Sequence, residues 1–151
     1  MPDEDSIHLF ATHTWSLDED YLRLFDYLGD VENFYYVNHS NPDVEPDVGG
    51  ALASRDALVD QIGASEVVIV LCGQYLQNPE EIDLQIVTAK RHGKPILTIE
   101  SFGPDPVPEK LKEMSDHVVE WYARKIVDAI KMLARGEEIH RYDTIDWPGD
   151  V

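Results

Sequence analysis

Three short segments hold the side chains best suited to chemistry: Thr12-His13-Thr14-Trp15, Asn38-His39-Ser40 and Cys72-Gly73-Gln74-Tyr75. They offer hydroxyls, imidazoles, amides and aromatic rings around a glycine, a set suited to stacking on and hydrogen-bonding a nucleotide. A fourth group is the stripe Glu81, Gln85, Thr88 and His92, at i, i+4, i+7 and i+11 of one helical pattern, beside an apolar stripe of Ile82, Ile86 and Ala89. Gln85 borders the two stripes. An exposed surface glutamine is the plain expectation for it, and a place on the cleft side is the functional one.

Other chemistries lack their residues. The histidines at 8, 13, 39, 92, 117 and 140 show no HExxH spacing and no CxxC accompanies them, so no metal site is expected. No GxSxG nucleophile turn occurs. No glycine-rich phosphate loop follows the first apolar segment, and Asp18-Glu19-Asp20 would repel a phosphate there.

The elements that must position these groups alternate. Ile7 to Thr12 reads as a strand and Asp18 to Leu28 as a helix, with Ser16 as N-cap, Glu19 completing a capping box and Gly29 as the stop. Phe34 to Val37 is a second strand. The stretch Asn38 to Gly50, with Pro42, Pro46, Gly49 and Gly50, is a long loop, open to a functional role or to that of a solvated acidic connector. Ala51 to Gly63 is a helix. Glu66 to Cys72 is nearly all apolar and β-branched, as a strand covered on both faces must be. Asn78 and Pro79 announce a helix running to about His92 and ended by Gly93. Pro95 to Glu100 is a strand, Gly103 to Pro108 a broken connector, Val118 to Trp121 a short last strand, and Arg124 to Arg135 a closing helix stopped by Gly136.

This order implies a parallel sheet with right-handed crossovers. Five strands fit one flavodoxin-like, doubly wound α/β sheet of order 2-1-3-4-5. Its ligand cleft lies beyond the carboxyl ends of strands one and three, where the three polar segments fall. Cys72-Gly73 stands where a response regulator would carry its phosphoacceptor aspartate. The expected organisation is one domain over residues 1–136 and an acidic tail over 137–151. The tail mixes Glu137, Glu138, Asp143, Asp146 and Asp150 with Ile139, Tyr142, Ile145 and Trp147.

Composition narrows the partners. The 151 residues hold 12 Lys and Arg against 30 Asp and Glu, a net charge of −18, and 43% of them are hydrophobic, enough for a single core. So acidic a chain is not expected to grip nucleic acid or anionic lipid, which requires clustered cations. No apolar run approaches the roughly 20 residues of a membrane helix. The acidic start, Met1 to Asp5, lacks a signal-peptide core, so a cytoplasmic location is expected. The one cysteine, Cys72, sits in an apolar run and reads as a buried, inert thiol.

In order along the chain, Leu9-Phe10-Ala11-Thr12-His13-Thr14-Trp15 with Asp20-Tyr21, Val37 to Pro42, Val67 to Gly73 with Tyr75, Ala89 to Leu97, and Val119-Glu120-Trp121 leading to Ile126 to Ile130 resemble the TIR-like domain family. Members of that family include the TIR protein of bacterial Thoeris antiphage systems. The resemblance covers roughly residues 7 to 133. It implies a TIR fold and an enzyme that cleaves the nicotinamide–ribose bond of NAD to release, cyclise or transfer ADP-ribose. NAD is then a substrate, with no prosthetic group. A messenger so made acts in trans on a separate effector protein, and self-association into a homo-oligomer is implied too.

The same resemblance implies site roles. Phe10, Thr12 and His13 line the nucleotide site, Trp15, Asp20 and Tyr21 flank it, and Asn38 and Tyr75 complete it. The family's catalytic glutamate falls on Gln85, and a tryptophan common four residues earlier falls on Glu81. A carboxylate stabilises the oxocarbenium-like ribose left by departing nicotinamide. Gln85 has the shape without the charge, so this chain is expected to bind nucleotide and lose most of the rate. Three readings fit: an introduced isosteric exchange, the usual way to silence such a site and the one favoured here; a natural loss in a binding-only member; or transfer of the role to Glu81. A non-catalytic nucleotide-binding or scaffold module is the alternative class. A nucleoside deoxyribosyltransferase-like enzyme, sharing the fold type and again needing a carboxylate, is a weaker one.

Overall fold

The computed structural model describes residues 6–15, 17–42 and 50–136, with side chains for all but 50–54 of these. The long loop's residues 43–49, the expected cap Ser16 and the tail 137–151 lie outside the described residues. The elements run β1 (Ile7–Ala11), α1 (Glu19–Gly29), β2 (Tyr36–Asn38), α2 (Gly50–Gly63), β3 (Val67–Leu71), α3 (Cys72–Gln77), α4 (Pro79–Arg91), β4 (Ile96–Ile99), α5 (Glu109–Met114), β5 (His117–Val119) and α6 (Ala123–Arg135). All four strand pairings are parallel and the sheet order is β2-β1-β3-β4-β5, the doubly wound arrangement expected.

The central strand explains the two layers. All five residues of β3 are buried. Val67, Ile69 and Leu71 point to one side, against Tyr21, Leu24 and Leu28 of α1 and Ile126, Val127 and Ile130 of α6. Val68 and Val70 point to the other, against Leu58 and Ile62 of α2, Ile82, Ile86 and Ala89 of α4 and Leu111 of α5. A strand buried on both faces has no polar side to spare, hence its unbroken apolar run.

Several local expectations are corrected. Asp18, not a residue at 16, caps α1: its Oδ1 accepts the Tyr21 amide at 2.8 Å. Gly29 is the last residue of that helix, and the cap after it is Asp30 in ordinary right-handed conformation. β2 begins at Tyr36 rather than Phe34, whose ring instead enters the core. β3 ends at Leu71, and Cys72 opens the short helix α3 rather than closing the strand. Asn78 makes no side-chain cap bond to α4. Glu109–Met114, a segment given no element in the sequence, is helical, and β5 ends at Val119, short of Trp121.

Cys72 is nevertheless fully buried in the α2–α4 layer, and burial pushes its thiol pKa up. Such a thiol is a poor nucleophile. Ellman-type labelling of the native chain should run at least about tenfold slower than labelling in denaturant; equal rates would show that the thiol is open.

Candidate functional site

Beyond Ala11 the β1 ladder ends, and side chains take over its hydrogen bonds. The Thr12 amide still donates to the Ile69 carbonyl at 2.9 Å. The next β3 amide, Leu71, donates to Thr12 Oγ1 at 3.2 Å, and that hydroxyl donates to Gln74 Oε1 at 2.7 Å. Gln74 Nε2 donates in turn to Asp18 Oδ1 at 3.3 Å. One buried chain thus joins β3, α3 and the cap of α1.

His13 and Gln85 meet next to it. Gln85 is 0% exposed. Its Oε1 accepts the His13 backbone amide at 3.1 Å and its Nε2 donates to the His13 carbonyl at 2.6 Å. The expectation of a surface glutamine is therefore overturned: the buried face of α4 is wider than its aliphatic stripe. The His13 ring is buried too. Its Nδ1 accepts the Trp15 amide at 3.2 Å, which leaves Nε2 as the donor to Gln61 Oε1, also at 3.2 Å. Gln61 also accepts the Asn41 amide at 3.0 Å. Burial holds the imidazole pKa below its ordinary value, against the raising influence of Gln61 and Asp18, so the neutral tautomer suits its partners. Trp15 packs edge-on against His13 with centroids 4.7 Å apart, and its φ is +60°, a left-handed conformation that tryptophan adopts at a cost. Phe10 lies under the His13 ring, 5.6 Å between centroids.

The other expected site residues form separate groups. On the α1 side Asn38 Nδ2 donates to the Tyr21 hydroxyl at 2.9 Å, and Ser40 Oγ donates to Asn38 Oδ1 at 2.5 Å. Tyr21 is left as donor to Ser40 Oγ at 2.8 Å, which closes a small ring of bonds. His39 instead stacks on His8, with 2.7 Å between ring nitrogens. Asp20 pairs with Arg23 at 2.5 Å, and burial raises its pKa. It also crowds Gly73, where a Cβ would lie 2.2 Å from Asp20 Oδ2, so any larger residue there must displace the Asp20 carboxylate. Tyr75 points into the α2–α4 layer, where burial first and then the charge of Asp83 raise its hydroxyl pKa.

Phe10, Thr12, His13 and Gln85 are thus assembled and fully covered. The opening beside them is a cavity of about 260 Å³ lined by Asp18, Glu19, Asp20, Gly73, Gln74 and Gln77. Sequence reading assigned no role to Gln61, named Gln74 only as part of its segment, and took Asp18 only as part of an acidic run that repels phosphate. The signal for Gln61 was its place three residues after Leu58, at the edge of the apolar face of α2. Among the described residues no group of three His, Cys, Asp or Glu side chains could hold a metal ion, and no helix is long and apolar enough to cross a membrane.

The parallel sheet, its strand order and its polar carboxyl edge define a flavodoxin-like α/β domain of the TIR type. Over residues 10–103 the chain matches the family described as Thoeris protein ThsB, TIR-like domain, and it belongs to that family. No curated protein matches it.

Proposed function

We propose that this chain serves a Thoeris-type antiphage defence system as a TIR module that binds an NAD-class dinucleotide at the carboxyl edge of β1 and β3 and does not cleave it rapidly. Family membership supports the defence role, and an effector in such a system is a separate protein. The observation that carries the reading is Gln85. It occupies the position where the resemblance places the catalytic glutamate, it bears no charge, and both ends of its amide are spent on the His13 backbone. A ribose cation there finds no carboxylate to stabilise it.

Calorimetry with NAD tests the binding half. The native chain should bind, and a chain ending at Gly136 should bind within a few-fold of it, since the acidic tail repels a pyrophosphate. His13→Ala should weaken binding by about 1 kcal/mol or more, the scale of a lost hydrogen bond or stacking contact. If truncation abolishes binding and His13→Ala leaves it unchanged, the tail with Tyr142 and Trp147 is the functional surface. If neither the native chain nor a Gln85→Met variant binds NAD, the module is a scaffold.

A further inference from the structure

We propose that Gln85 is a positioning residue that latches the segment after β1 onto α4, and that position 85 accepts only a group offering one donor and one acceptor: an amide or a protonated carboxylic acid. A carboxylate at 85 and the closed segment exclude one another. This deepens the binding reading by naming what controls access to the same site, but its test needs no nucleotide.

The argument begins with what the backbone presents. The His13 amide must donate and the His13 carbonyl must accept, and both lie against one fully buried side chain at 3.1 and 2.6 Å. Glutamine satisfies both. A carboxylate would satisfy the amide and set its second oxygen against the carbonyl oxygen, two buried acceptors with no proton between them. A protonated carboxyl restores the donor. The segment so held is otherwise ill at ease: Trp15 keeps a left-handed φ of +60°, and its amide hangs on the His13 ring. Strain of this kind persists only where the surroundings impose it. Phe10, Thr12 and His13 are fully buried while the segment is closed, so a ligand reaches them only when this edge opens.

Burial decides the protonation of position 85. His13 is held neutral by burial. Asp18 lies before α1, Tyr75 comes from α3, Glu81 and Asp83 belong to α4 itself, where Asp83 is paired with Lys110, and α2 presents the neutral Gln61. A site as fully buried as that of Gln85 disfavours a carboxylate, so a glutamate at 85 would have a folded pKa above its unfolded value. Its stability relative to glutamine is then retained below the unfolded pKa and falls as pH rises toward the folded one.

Urea unfolding of the native chain, Gln85→Glu and Gln85→Met between about pH 5 and 9 tests this. Relative to native, the unfolding constant of Gln85→Glu should grow by up to about tenfold per pH unit and then level off, the slope of one proton bound by the folded state. Gln85→Met should show a constant offset. A second readout is local: in Gln85→Met the His13 amide should exchange with deuterium at least about tenfold faster, while the Val68 amide in β3 is unchanged relative to global stability. A Gln85→Glu curve parallel to native at every pH, or His13 exchange unmoved by Gln85→Met, would overturn the latch. Failure of NAD binding with both results intact would leave the latch standing and remove the nucleotide reading alone.

Discussion

Thr12→Val should lower stability by roughly 2–4 kcal/mol although the side chain keeps its shape. The hydroxyl is fully buried and serves two partners: it accepts the Leu71 amide at 3.2 Å and donates to Gln74 Oε1 at 2.7 Å. Valine strands both. Each buried group left unpaired costs about 1–3 kcal/mol, and the methyl that replaces the hydroxyl returns little of it. Because β1 has ended, no backbone carbonyl of that strand replaces the hydroxyl as acceptor for Leu71. Adding Gln74→Leu should cost less than the sum of the two single changes, since one stranded acceptor is removed with it. Urea midpoints give the result directly. A Thr12→Val chain as stable as native would mean that the hydroxyl chain joining β3, α3 and the cap of α1 does not contribute to stability.

The sheet was legible because its signals are redundant. Val67–Leu71 carries no polar residue, a pattern that only a doubly covered strand sustains, and strands and helices alternate around it. The short helices were not legible. α3 spans six residues and includes Gly73, whose helix propensity is poor; packing of Tyr75 and the hydrogen bonds of Gln74 to Thr12 and Asp18 hold it instead. The cap of α1 went astray because serine and aspartate both suit the role, and chain geometry chose Asp18.

At the site, Gln85 stands three residues after Ile82 and four before Ala89, a spacing that puts it on the buried stripe. Its polarity placed it with Glu81, Thr88 and His92 instead. What no spacing carries is the partner. That the amide closes on the backbone of His13, 72 residues away in sequence, is a property of the assembled sheet edge. The same holds for Tyr75, which follows the right strand and yet turns toward Asp83 rather than the edge.

The second large effect concerns turnover. With an amide at position 85 the chain should leave NAD intact, because the developing positive charge on ribose meets no anion. A single well-placed electrostatic group at a reacting centre is worth about 10²–10³-fold in rate. Gln85→Glu supplies that charge once the carboxyl ionises and the latch lifts, so its activity should rise with pH alongside its loss of stability. Mass analysis of NAD incubated at about pH 8 with the native chain and with Gln85→Glu is the most direct measurement. The account predicts intact NAD with the native chain and released nicotinamide, with an ADP-ribose product, from the variant. Nicotinamide released by the native chain as fast as by Gln85→Glu would contradict it.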